Sequence, residues 1–155
     1  MSRSAGLLLY RQTSGRLEVM LVHMGGPYWE RRDAGAWSIP KGEHEPAEDP
    51  LAAARRELTE ETGLAPPPGE PIDLGEVRQS SGKLVRAWAI EADVDVSSIT
   101  SNTFALEWPR GTGTMRSFPE VDRAAWFDLD EARTKLVEGQ VPFLGSLADA
   151  LLGRA

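Results

Sequence analysis

At 155 residues, with 41% hydrophobic and 26% charged side chains, the chain has the length of one domain and the composition of an ordinary water-soluble globule. It contains no cysteine, which excludes disulfides, thiol catalysis and zinc–thiolate sites. A net charge of −7 argues against a protein that coats nucleic acid, and no apolar run is long enough to span a membrane. With no secretory leader in view, the expected setting is the cytoplasm, as a monomer or homodimer without membrane or stable nucleic-acid partners.

Gly6–Tyr10 and Leu17–Met24 read as strands joined by a hairpin turn over Gln12–Gly15. Residues 25–35 form a loop with exposed aromatics and two adjacent arginines, Arg31 and Arg32. Residues 37–39 make a short strand that ends in a turn, where Pro40 pre-sets the backbone and Gly42 permits a close approach. Leu51–Thr62 is rich in helix formers, with Asp49 and Pro50 as N-cap and first residue and Gly63 as the stop. Leu51, Ala54 and Leu58 recur at helical spacing and should face a core. After the stop at Pro66–Gly69, strands are expected over Ile72–Val77, Lys83–Ala92, Phe104–Pro109 and Ala124–Asp128. Two helices follow, Leu129–Glu138 and Pro142–Leu152, the first capped by Asp128 or Asp130. Strands interleaved with one internal helix and two terminal ones point to an α/β/α sandwich around a mixed sheet, as one domain over residues 1–155.

The internal helix carries the chemistry. Glu57, Glu60 and Glu61 stand at i, i+3 and i+4, so their carboxylates share a face and repel one another. A hard divalent cation removes that repulsion, and carboxylate oxygens suit magnesium or manganese, with a phosphate substrate completing the shell. Glu48 lies just before the helix, near its positive end, and Arg56 is placed to orient one of the glutamates through a bidentate pair. Lys41 is positioned to meet a phosphate.

From Gly42 to Leu64 these residues follow the pattern Gly-x5-Glu-x7-Arg-Glu-U-x-Glu-Glu-x-Gly-U, where U is aliphatic, with no departure. The pattern resembles the Nudix box, the signature of enzymes that hydrolyse nucleoside diphosphates linked to another group. The resemblance implies a Nudix fold, which is the sandwich already expected, and a metal-activated water attacking a pyrophosphate phosphorus. It implies magnesium as cofactor, with manganese as a substitute, and a metal set of Gly42 through its carbonyl, Glu48, Glu57, Glu60 and Glu61. Glu57 and Glu61 are the first choices as direct ligands, with Glu60 as ligand or general base. Because the family does not place its base uniformly, Glu120 is a further catalytic candidate, with Glu107 and Asp122 competing for its role. The catalytic set is therefore Glu60, Glu57, Arg56 and Glu120.

The group beyond the diphosphate is less constrained. The lead-in Trp37-x-x-Pro40-Lys41-Gly42 is similar to that of diadenosine tetraphosphate hydrolases and some inositol-pyrophosphate hydrolases. However, Ser80-Ser81-Gly82 lacks the tyrosine common in the former, and Gln79 stands where ADP-ribose hydrolases usually have proline. A nucleotide of the dinucleoside polyphosphate or nucleoside triphosphate type is the expected partner, and a capped-RNA substrate stays open. Lys41, Arg32 and Arg86 are candidate phosphate clamps, along with Arg31, Lys83 and Arg110. Trp29, Tyr28 and Trp108 are candidates to stack on a base, whereas Trp37, Trp88 and Trp126 are expected to pack beside the sheet. His23 and His44 receive no role. The alternative is a Nudix-fold sensor that binds a nucleotide without turning it over.

Overall fold

The computed structural model describes residues 3–153; the ends of the domain assigned over 1–155 lie outside the described residues. The elements in chain order are β1 (Arg3–Thr13), β2 (Arg16–Met24), β3 (Trp37–Ser38), β4 (Lys41–Glu43), α1 (Pro50–Thr62), β5 (Ile72–Arg78), β6 (Leu84–Glu91), β7 (Thr103–Glu107), β8 (Met115–Pro119), β9 (Val121–Asp128), α2 (Leu129–Lys135) and α3 (Pro142–Leu152).

The unbroken apolar run Leu7-Leu8-Leu9-Tyr10 has the signature of a strand buried on both faces. Leu7 and Leu9 pack with Met20, Val22, Ala54 and Leu58 on the α1 side, while Leu8 and Tyr10 pack with Leu21, Phe143 and Leu147 on the α3 side. This alternation makes two cores separated by one sheet. The sheet runs β3-β2-β1-β6-β5, with β4 also paired to β1 and β9 to β2. Among the described strands of this sheet, β1 and β6 pair in parallel and the other strand pairings are antiparallel. The expected α/β/α sandwich around a mixed sheet is the observed fold.

The β1–β2 hairpin turns through Ser14 and Gly15, both at positive φ (53° and 75°), the conformation that suits a two-residue hairpin. α1 begins and ends as its sequence dictates. The Asp49 carboxylate accepts from the Ala52 amide, Pro50 occupies the first turn, and Gly63 adopts φ 76° to close the helix.

Three elements differ from the sequence expectation. Lys41–Glu43 is a strand rather than part of a turn, because its backbone pairs with Ser4–Gly6 of β1. Met115–Pro119 pairs with β7 as a separate two-stranded sheet, unforeseen because it is mostly exposed and has no apolar alternation. α2 stops at Lys135 rather than Glu138, because Leu136 bridges Trp37 and the Val137 amide donates to the Trp37 carbonyl at 2.8 Å. A 3-10 turn over Glu138–Gln140 then leads into α3.

Candidate active site

β4 and the C-terminal half of α1 lie against each other, and Gly42 lets them approach. A Cβ built on Gly42 would fall 2.0 Å from the Glu57 carboxyl carbon, so any larger residue must push that carboxylate aside. The glycine of the box thus leaves the Glu57 carboxylate its place against β4.

The acidic residues divide into two groups. In the first, Arg56 is the hub. Its Nε and Nη2 donate to the two oxygens of Glu48, each at 3.0 Å, and its Nη1 donates to Glu57 at 3.0 Å and to Glu60 at 3.2 and 3.3 Å. The guanidinium holds the Glu48 carboxyl below its ordinary range, and Glu48 in turn raises Arg56 further. Glu57 is buried, and that burial, followed by the neighbouring charge of Glu60, pushes its carboxyl up. Glu48 and Arg56 border a groove of about 650 Å³ at the start of α1.

Glu61 takes a different partner. Its Oε1 accepts from the Lys41 amide at 3.2 Å, and it lines a second groove, of about 760 Å³, together with Lys41 and Glu120. Burial pushes its carboxyl up to about 8, opposed by the Lys41 amide and reinforced by the charges of Glu57 and Glu120. Burial also lowers the Lys41 ammonium. Glu120 is held at this end by its backbone. Its amide donates to the Asn102 carbonyl at 2.8 Å, its carbonyl accepts from Gly25 at 2.8 Å, and the Asn102 amide donates to the Glu60 carbonyl at 3.0 Å.

Of the rivals for the role of Glu120, Glu107 accepts from the Gly111 amide at 2.8 Å and closes the β7–β8 turn. Asp122 bonds Nδ1 of the fully buried His23 at 2.9 Å. Neither lines the larger groove. Trp29 does line it, with the Arg32 guanidinium 5.6 Å from its ring centroid. Trp29 is packed against the core, contrary to the expectation of two exposed loop aromatics; only Tyr28 is exposed. Tyr28 meets Trp108 edge to face at 5.4 Å and accepts from Arg110 at 2.8 Å, away from that groove. Arg86 also stands apart, paired with Asp73 at 2.7 Å beside Trp88. Lys83 pairs with Glu43 at 3.3 Å.

Of the five-member metal set expected from the sequence, Glu57 meets Gly42 and Glu61 meets Lys41, consecutive residues of β4, while Glu48 and Glu60 are held from the Arg56 side. Arg56 draws Glu48, Glu57 and Glu60 together because it is the nearest cation, while Glu61 turns to the Lys41 amide. Among the described residues, no three His, Asp or Glu side chains form a ready metal centre. The donor chemistry nevertheless fits magnesium. The donors are all oxygens, and magnesium is usually held by one or two carboxylates, the rest of its octahedron coming from water and substrate phosphate. A buried Glu57 carboxylate cradled over Gly42 provides such an anchor.

The sequence reading missed the far wall of the larger groove. Gln79, Ser80, Ser81, Glu138 and Gln140 line it, contributed by the β5–β6 turn and the 3-10 turn before α3. Gln79, Ser80 and Ser81 entered the sequence reading only as positions that lack two subfamily signatures, and no local pattern marks Glu138 or Gln140. Among the described residues, no helix is long and apolar enough to cross a membrane.

A family model described as NUDIX domain matches residues 1–147. A 63-residue stretch is 48% identical to an RNA pyrophosphohydrolase of Roseobacter denitrificans, covering 38% of each chain. A 62-residue stretch is 36% identical to the asymmetrical bis(5'-nucleosyl)-tetraphosphatase of Caenorhabditis elegans, covering 40% of this chain and 41% of that one. The match thus spans about two fifths of the length of these relatives. Among solved structures, a C. elegans Ap4A hydrolase binary complex superposes with a TM-score of 0.67 at 21% identity over 99% of both chains. The NUDIX domain of Shewanella oneidensis NrtR, in complex with ADP ribose, superposes with a TM-score of 0.65 at 15% identity over 96% of this chain and 87% of that one. At these identities the likeness is one of fold.

Proposed function

The chain belongs to the Nudix family, and on that premise we propose that it is a metal-dependent pyrophosphohydrolase, a single domain over residues 1–155. Its substrate is a nucleoside diphosphate linked to another group, of the dinucleoside polyphosphate or nucleoside triphosphate type. The observation that carries this reading is the larger groove. One end is charged, with Lys41, Glu61 and Glu120, and the walls beyond it are apolar and amide-bearing. Such a cleft takes a polyphosphate at one end and a base at the other.

Glu57, Glu60, Glu61 and the Gly42 carbonyl are the groups that would hold magnesium or manganese, with Glu48 behind them. When bound, the ion lowers the pKa of a water and neutralises phosphate charge. The protein's own groups do the rest. Arg56 fixes the rotamers of Glu48, Glu57 and Glu60 through its five hydrogen bonds. Lys41 offers an ammonium, partly stripped of water, to a phosphate oxygen at the charged end. Glu60 or Glu120 takes the proton of the attacking water; Glu120 is more exposed and is free of Arg56. Trp29 presents an aromatic wall to the base, with Arg32 beside it.

The experiment is a product-identified release assay over nucleoside polyphosphates and dinucleoside polyphosphates, with magnesium and with chelator. The reading requires phosphoanhydride cleavage that disappears with chelator and returns with the metal. Binding without turnover would instead favour a nucleotide sensor.

A further inference from the structure

The far wall of the groove contains a chain of amides whose orientation can be deduced. The Ile39 amide is a backbone donor and cannot flip. It donates to Gln140 Oε1 at 2.9 Å, which fixes the Gln140 oxygen toward β3. The Gln140 amide nitrogen must then face the other way, where it donates to Ser38 Oγ at 3.0 Å and to Gln79 Oε1 at 3.1 Å. Ser38 Oγ turns its own proton to the Ile39 carbonyl at 2.7 Å, which leaves it an acceptor for Gln140. Gln140 is fully buried, while Gln79 at the end of the chain is half-buried and reaches the groove. The Ser38 hydroxyl also lies 3.4 Å from Gln140 Oε1, and whichever acceptor it takes, the Gln140 orientation is unchanged.

The outcome falls on Gln79. Its oxygen is held by Gln140, and its amide nitrogen makes no hydrogen bond to any described residue. Gly139 packs against its Cα and Cγ, where a Cβ would come within 3.0 and 3.3 Å, so the side chain is gripped from behind as well. Gln79 lines the groove, and with its oxygen held by Gln140 its nitrogen is the donor it has left for an occupant of that end. The charged end, with Lys41, serves phosphate; this end has neutral amides and hydroxyls, with the Glu138 carboxylate at the rim. Among the described residues, no cation lines this end to meet phosphate, and the Glu138 carboxylate can accept from a ring N–H.

We propose that Gln79 is a specificity-determining residue that donates to a carbonyl oxygen of the substrate base, with Gln140 as its positioning residue, and that the groove therefore prefers 6-oxopurines to 6-aminopurines. A guanine or hypoxanthine edge offers the O6 acceptor beside an N1–H donor, matching the Gln79 donor and the Glu138 acceptor. Adenine presents an amino donor where Gln79 already donates. A freely rotating glutamine would read either base. This one cannot turn without breaking its bond to Gln140. The inference rests on the groove being a nucleotide site, but not on turnover.

The test is therefore equilibrium binding by calorimetry, with GDP, IDP and ADP as probes, on the wild type and two variants. Wild-type protein should bind GDP and IDP about tenfold more tightly than ADP, the worth of one buried hydrogen bond against two opposed donors. Gln79→Glu keeps an oxygen for Gln140 and turns an acceptor to the groove, so it should reverse the order. Gln79→Met presents neither group and should bring the three affinities together. Equal affinities in the wild type, a preference for ADP, the same ratio in all three proteins, or no binding of any probe would each overturn the inference. Binding with the expected reversal but no hydrolysis of any nucleotide would support Gln79 as the reader while removing the hydrolase reading. Hydrolysis with no base preference would do the opposite.

Discussion

Glu60 and Glu61 are consecutive residues of one helix, yet they stand in opposite surroundings. Glu60 is 39% exposed and shares Arg56 with Glu48 and Glu57. Glu61 is turned into the larger groove, bound to a backbone amide, and its carboxyl is pushed up by burial. On one side of α1 a single arginine is shared by three carboxylates; on the other a buried acid stands beside Lys41 and Glu120. A helix that presents like charges must give each a separate answer to the repulsion, and here one answer is an arginine hub and the other is protonation. Both are answers a hard cation can replace.

The largest expected effect falls on the Arg56 side. Glu60→Gln keeps the shape but removes charge from the set proposed to hold metal or take a proton. Turnover should fall by roughly 10²–10⁴-fold with the melting temperature little changed. Near-normal rates would remove Glu60 from the mechanism. Gly42→Ala comes next, because the new methyl meets the Glu57 carboxyl carbon at 2.0 Å. The flexible end of Glu57 moves rather than the fold, so activity should drop on the order of a hundredfold while urea unfolding shifts little. A variant that loses stability but keeps its rate would show that the contact matters only for packing.

The Glu61 side should report itself through pH. In cation-free protein its carboxyl is raised from 4.5 to about 8. The folded state therefore keeps a proton that the unfolded chain has released, and stability must fall as pH rises between those values. Glu61→Gln removes that group, so its thermal stability should decline less over the same range. Parallel curves for the two proteins would contradict the raised carboxyl. The smallest effect is expected from Glu120→Gln. Removing its charge takes away one of the lesser causes that raise Glu61, so the midpoint of the stability decline should move down slightly. An upward move would mean that the two side chains do not sense each other as described.

What could be read from the sequence follows the range of the interactions. α1 was legible to the residue, because Asp49, Pro50 and Gly63 act within a few positions of the helix they bound. The buried strands were legible because a run such as Leu7–Tyr10 has nowhere to go but the middle of a sheet. The early end of α2 was not, since it is set by Leu136 and Val137 meeting Trp37, 99 and 100 residues away. How the groove wall assembles was not legible for the same reason: Gln140 finds Gln79 across 61 residues and Ser38 across 102. The box named the acidic residues, but not that Arg56 would gather three of them and leave the fourth to the groove.

The central claim is that this acidic helix is a seat for a hard divalent cation. Its most direct test is a manganese titration of the protein followed by water-proton relaxation, comparing the wild type with Glu57→Gln and Glu60→Gln. A saturable site in the wild type, weakened at least tenfold in each variant and displaced by magnesium, is the predicted result. Equal relaxation enhancement in all three proteins would contradict the account.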